Sequence, residues 1–256
     1  MMSRVLAVAR NTIREVLRER IVLVLAIFGA ALVFASQVLS PLALGEGKKV
    51  VTDFGLAGSS LLATLLAVFL GSSLLHKELD RRTIYAVMAK PICRAEFLMG
   101  KFLGLWTTTG FLLSGMTLMV LALLTVVHHE TPWILLGSLL LTLMELGIVT
   151  AFVILFSSFT TPGLTAFFTL GVIVTGSFAE QILYFGGQGE SSFVAGLTGA
   201  FYWALPHLST FNVRGMVTHG VAVPPERIAF GVSYALLYMG AVLTIAGAIF
   251  ERRDFR

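Results

Sequence analysis

The chain has 256 residues, of which 57% are hydrophobic and 12% are charged. Soluble domains carry charged residues at about a quarter of their positions, so this composition excludes a soluble globular protein and indicates an integral membrane protein. The single cysteine, Cys93, excludes an internal disulfide and a multi-cysteine metal site. The net charge of +4 is modest, and it indicates membrane topology rather than binding to nucleic acid.

Residues 1–20 are the first predicted element, with an amphipathic helix over residues 3–20. At about 100° per residue, the arginines fall on one half of the helix and the aliphatic side chains on the other, with Val8 as the exception. Such a helix lies in the plane of the membrane interface. A cleaved signal peptide is not expected, because the apolar run that follows is too long and has no small-x-small cleavage site.

Six apolar runs are each long enough to cross about 30 Å of hydrocarbon, which takes roughly 20 helical residues. Fourteen of the 18 Lys and Arg residues lie in the N-terminal segment, the 76–101 loop and the tail. The positive-inside rule therefore predicts that both termini and this loop are cytoplasmic, and that residues 185–227 form a long outer loop with short helices before the sixth span. The predicted spans are residues 21–40, 54–75, 102–127, 133–157, 162–184 and 228–250.

The 76–101 loop is the longest charge-rich segment of the chain. Residues from Thr83 to Ala89 favour a short helix, and Pro91 prevents that helix from continuing. A mostly apolar helix with charged flanks at the membrane surface suits the docking of a soluble partner. The alternative is an ordinary charged cytoplasmic loop without a docking role. The six cations of the 76–101 loop are Lys77, Arg81, Arg82, Lys90, Arg94 and Lys101.

This loop resembles the first cytoplasmic loop of type 2 ABC-transporter permeases, the six-span membrane subunits of multidrug, sodium-efflux and copper-maturation systems. The tail from Phe250 to Phe255 is similar to the short cytoplasmic tail of that family. The resemblance in the loop consists of an acidic pair, a threonine that opens the coupling helix, a proline and an arginine, and a glycine–lysine pair: Glu78, Asp80, Thr83, Pro91, Arg94, Gly100 and Lys101.

The resemblance implies an all-α integral membrane fold, with residues 1–256 as one transmembrane domain, an N-terminal elbow helix and a coupling helix between spans 2 and 3. The absence of a cleavable signal and the basic inner side favour the plasma membrane of a bacterium, its inner membrane, and an organelle membrane is the alternative. The implied partners are a separate ABC ATPase that binds ATP and Mg, a second copy of the chain or a related permease, membrane lipid and, as an option, a periplasmic protein. The residues implied to dock the ATPase are Glu78, Asp80, Arg82, Thr83, Tyr85, Pro91 and Arg94.

The sequence contains no Gly-x-x-x-x-Gly-Lys-Ser/Thr phosphate-binding loop and no Gly-x-Ser-x-Gly nucleophile motif. We therefore expect no catalytic residue and no bound cofactor in this chain. An ATP-driven role requires a separate nucleotide-binding subunit.

Glu145 is the one acidic residue well inside a predicted span, where a charge costs on the order of 3 kcal/mol. We expect it to face a cavity or a translocation path, and the alternative is a protonated or hydroxyl-bonded glutamate in helix packing. Glu180, near the outer end of the fifth span, is expected to line an outer vestibule. An alternative function is a stand-alone proton-coupled carrier or an intramembrane enzyme that uses Glu145.

No metal site is expected. His128, His129 and Glu130 resemble part of a zinc-protease helix, but the position of the second histidine is occupied by Trp133. A weak outer site that adds His207 or His219 stays as an alternative.

Two pairs of small residues, Gly100 with Gly104 and Gly110 with Ser114, predict close helix packing. The packing partner is either another helix of the chain or a second copy.

Overall fold

A computed structural model describes residues 2–40, 46–80, 93–129, 132–187, 198–199, 202 and 205–252. Every regular element in these ranges is helical, which agrees with the predicted all-α fold. In chain order the elements are α1 Met2–Leu17, α2 Arg20–Leu39, α3 Gly47–Asp80, α4 Arg94–His128, α5 Ile134–Ser157, α6 Pro162–Ser177, α7 Ala179–Gly187, a 3-10 turn Leu208–Phe211, α8 Arg214–Thr218 and α9 Pro225–Arg252.

Five of the described helices, α2, α3, α4, α5 and α9, are long and apolar enough to cross a membrane. The fifth predicted span is divided, because α6 ends at Ser177 and α7 begins at Ala179. The break at Phe178 is small, since its N–H still donates to the carbonyl of Val174 at 3.2 Å. α6 itself has 16 residues and is the shorter apolar helix of the set. The chain therefore has five to six candidate spans.

The two helices beside the charged loop reach further than predicted. α3 continues past the predicted end of its span at residue 75 to Asp80, and α4 begins at Arg94 rather than at residue 102. Hydropathy marks the edge of the apolar layer, and a helix does not have to end there. The predicted coupling helix and four of the predicted docking residues, Arg82, Thr83, Tyr85 and Pro91, lie outside the described residues.

The N-terminal helix α1 packs along the first turns of α4. Its contact face includes Val8, Thr12 and Val16, and the last two are fully buried. Val8, the exception in the predicted two-sided pattern, therefore belongs to this face. Leu6 and Leu17 are exposed and form a second apolar face of α1. The arginines lie on a separate polar face.

Two glycines of α4 allow this contact. A Cβ atom on Gly104 would lie 2.5 Å from Cβ of Thr12 and 2.9 Å from the carbonyl oxygen of Ala9. One on Gly100 would lie 2.5 Å from Cβ of Val8. The pair predicted to pack closely therefore packs within the chain, against α1.

α5 lies at the centre of the bundle, where it contacts α3, α4, α6 and α9. Ile148, Ala151 and Ile154 on this helix are fully buried. Its polar residues must therefore find partners or space inside the protein.

We predict that Gly104→Ala lowers the thermal stability of the purified protein, because the added methyl group displaces the backbone of α1. Overpacking of this kind costs about 1–3 kcal/mol. Gly115→Ala on the same helix is the matched control, since a Cβ at Gly115 meets nothing within 4 Å. Thermal unfolding in mild detergent should show a lower midpoint for Gly104→Ala alone. Equal midpoints for the two variants would refute the close contact.

Candidate functional site

The first candidate site is the start of α4, which directly follows the segment implied to dock an ATPase. The backbone N–H of Cys93 donates to a carboxylate oxygen of Glu96 at 3.1 Å, which satisfies a donor at the helix end. Glu96 is 4% exposed and also lies 4.0 Å from a guanidinium nitrogen of Arg4 on α1. We call residues 94–101 with their contacts to α1 and α9 the α4 junction.

Arg94 connects the α4 junction to the end of α9. Its Nη1 atom donates to the carbonyl oxygens of Phe250 and Glu251, at 3.2 and 2.8 Å. The last carbonyls of a helix have no partner within the helix and carry partial negative charge, so a guanidinium stabilises them. The ring of Phe97 stacks on that of Phe250, with centroids 6.4 Å apart. The predicted docking residue Arg94 therefore has contacts inside the chain.

Lys101 connects the α4 junction to α1. Its side chain is 1% exposed, and Nζ lies 3.1 Å from a carboxylate oxygen of Glu15. The same Nζ lies 5.9 Å from the centroid of the Phe97 ring, within the range of a cation–π contact. A buried ammonium is strongly unfavourable without an anionic partner, so this contact fixes where α1 lies.

The second candidate site is a cavity inside the bundle, and Glu145 lies on its wall. The space that water can enter is about 10 Å³, room for about one water molecule. Helices α3, α4 and α5 form its sides, and Asn212 and Arg214, from the predicted outer segment (residues 185–227), close it. The other polar residues on the wall are Ser59, Ser60, Thr117, Ser138 and Thr142.

Residues 6–255, nearly the whole chain, match the family described as ABC-2 family transporter protein. The chain belongs to the ABC-2 transporter family. The predicted resemblance to type 2 permeases is thereby confirmed, and the chain is a multi-pass membrane permease of the ABC transporter class. ABC-2 permeases generally work with an ABC ATPase subunit, often as dimers, and are transport components rather than enzymes. No curated protein matches the chain.

The two acidic residues predicted to line a translocation path or an outer vestibule, Glu145 and Glu180, lie at different places in the structure. Glu145 faces the cavity inside the bundle, whereas Glu180 accepts a hydrogen bond from Ser209 Oγ at 2.9 Å and so joins α7 to the 3-10 turn. Glu180 is not on the wall of the Glu145 cavity. The predicted path through both residues stays a prediction.

The histidines are also separated from one another. His207 contacts the hydroxyl of Tyr234 through its backbone N–H at 3.1 Å, and its Nδ1 lies 3.3 Å from the same oxygen. His129 ends α4 in a left-handed conformation with φ of 54°. Among the residues that the structure describes, no group of three or more His, Cys, Asp or Glu side chains could hold a metal ion.

Two functional residues were missed at the level of sequence. Glu15 was not singled out, although a lysine between apolar residues, as Lys101 is, requires an acidic partner somewhere. Arg214 was not singled out either. Its neighbours Phe211, Val213 and Val217 are buried, and the recurrence of apolar residues around it is the signal that this segment folds inward.

We predict that Glu15 and Lys101 are energetically coupled across α1 and α4. Glu15→Gln and Lys101→Met should each lower the unfolding midpoint of the permease in detergent. The double variant should be less destabilised than the sum of the two, with a coupling of about 1–3 kcal/mol. Arg10→Gln on the exposed face of α1 is the control and should change little. Additive effects of Glu15→Gln and Lys101→Met would contradict the contact.

Proposed function

We propose that the chain is the membrane subunit of an ABC transporter and couples ATP hydrolysis by a separate nucleotide-binding subunit to export or to mechanical work across the membrane. Membership of the ABC-2 family carries this proposal. It also favours this function over a stand-alone carrier or an intramembrane enzyme that uses Glu145. Two copies of the permease, or one copy with a related permease, would each bind one ATPase.

The ATPase would dock on the 76–101 segment, through Glu78, Asp80, Arg82, Thr83 and Tyr85, with Pro91 setting the angle of the coupling helix. ATP and Mg would be bound by the ATPase alone. The contacts of the α4 junction support a second step. A displacement of the docked segment would pass to the start of α4, and from there to α1 through Lys101 and to α9 through Arg94.

The proposed orientation puts both termini and the start of α4 in the cytoplasm, with the permease in a bacterial inner membrane. The distribution of cations supports it, because 14 of 18 lie in the segments on that side. The outer segment would then face the periplasm, where a periplasmic protein could contact it.

Arg94 should act in transmission rather than in docking. Arg82→Glu combined with Tyr85→Ala should reduce recovery of the ATPase with the tagged permease by about tenfold, which corresponds to ~1.4 kcal/mol of binding free energy. Arg94→Gln should keep the ATPase bound and lower the stimulation of ATP hydrolysis by the permease, because the end of α9 is released. Co-purification in mild detergent, followed by an ATPase assay, measures both effects.

Glu226→Lys is the control for charge reversal, since Glu226 is exposed at the opposite end of α9. It should retain full recovery and stimulation. If no nucleotide-binding protein is recovered with wild type from native membranes, the proposed function is wrong. If Arg94→Gln loses the ATPase as completely as the double variant, Arg94 is a docking residue instead.

The single cysteine gives a direct measurement of orientation. Cys93 is exposed and directly precedes α4, so a membrane-impermeant maleimide should label it in inside-out vesicles and not in intact spheroplasts. Cys93→Ser combined with Val221→Cys, in the exposed part of the outer segment, should show the reverse pattern. Labelling of Cys93 in intact spheroplasts would invert the proposed topology.

A further inference from the structure

Four of the five hydroxyl groups on the wall of the Glu145 cavity donate their hydrogens to helix carbonyls. The hydroxyls of Ser59 and Ser138 donate to carbonyls of their own helices, to Leu56 O at 3.0 Å and to Leu135 O at 2.9 Å. The hydroxyls of Ser60 and Thr117 do the same, at 3.1 and 2.9 Å. A hydroxyl group that donates its hydrogen to a carbonyl can still accept hydrogen bonds through the lone pairs of its oxygen. These oxygens and the carboxylate of Glu145 together suit a cation.

Arg214 supplies the positive charge at this wall. Among the residues that line the cavity, Arg214 is the one cation. In the described part of the chain, no ion pair within 4.0 Å joins Glu145 to Arg214, although both line the same cavity. An ionisable group inside a membrane protein usually faces a charged partner or a cavity, and Glu145 lines a cavity.

Arg214 and Glu145 belong to different layers of the structure. Glu145 is fixed in α5 at the centre of the bundle, whereas Arg214 opens the five-residue helix α8 of the outer segment. α8 packs on α3 and α5, with Val217 buried beneath it. If this segment moves outward, the acceptor-rich wall and the carboxylate stay in the bundle and the guanidinium leaves. The carboxylate of Glu145 is then left without a nearby positive charge, and another cation can bind there.

We propose that the Glu145 cavity is a binding site for a small cationic group that carries hydrogen-bond donors, such as a guanidinium or an alkylammonium. Arg214 lies on the wall of the site in this conformation. An external cation takes its place when the outer segment withdraws. The idea that this exchange belongs to a transport cycle rests on the proposed function, whereas the site itself is a property of this chain alone.

The test uses the free guanidinium ion as the probe on the purified permease, without an ATPase. Arg214→Ala removes the internal cation and leaves the acceptors in place. Millimolar guanidinium chloride should raise the unfolding midpoint of this variant saturably, by about 2–4 °C, because a ligand that binds only the folded state stabilises it. Sodium chloride at equal ionic strength and urea, the neutral analogue, should give no such rise.

The carboxylate should be required for this effect. Arg214→Ala combined with Glu145→Gln should show no rise with guanidinium. Arg227→Ala is the matched control: Arg227 contacts Thr210 O and Met216 Sδ of the same outer segment, so its removal leaves Arg214 on the wall of the cavity. Arg214→Gln, which keeps more of the side-chain volume, repeats the test if Arg214→Ala does not fold.

Two results would overturn the proposal. One is the absence of any guanidinium effect on folded Arg214→Ala or Arg214→Gln. The other is an equal effect when Glu145 is replaced by Gln, which would place the ion elsewhere. Because no ATPase takes part, failure here leaves the docking proposal standing, and failure of docking leaves the cation site standing.

Discussion

The placement of α1 depends on the ammonium group of Lys101, which is buried in the first turns of α4. The carboxylate of Glu15, 3.1 Å away, lies on α1, so α1 must lie along α4 for the contact to form. The approach is possible only because Gly100 and Gly104 have no side chain beneath α1. The amphipathic helix α1 is therefore held against the bundle by an ion pair and by close helix packing.

The helices are connected differently at the two ends of the permease. At the charged end, α4 is joined to α1 by Lys101 and to α9 by Arg94, so a movement of one of these helices affects the other two. At the opposite end, the described residues before α9 form short elements that pack against the bundle. The carbonyl oxygen of Pro206 approaches Gly176 of α6 so closely that a Cβ there would lie 2.6 Å from it.

Long apolar runs were sufficient to predict the fold class and the approximate spans. Features that depend on contacts between residues distant in the chain could not be predicted. Composition and charge asymmetry were sufficient for an all-helical membrane protein with a charged loop after the second span. The helix ends at Asp80 and Arg94 were missed because polar residues continue a helix beyond the apolar layer. The break at Phe178 was missed, although the polar residues Glu180 and Gln181 follow it in the sequence. Arg214 meets Glu145 only through the tertiary fold.

Lys101 and Glu145 have contrasting surroundings in this permease. Lys101 makes a direct contact at 3.1 Å and has glycines on either side of the helical turn that carries it, so exchanging its partner would require α1 to leave. Glu145 instead lines, together with Arg214, a cavity that has room for about one water molecule. Arg214 belongs to a five-residue helix and not to a span. A direct contact between packed helices suits a permanent joint, whereas a charge that faces a short outer element across a cavity suits a partner that can be replaced.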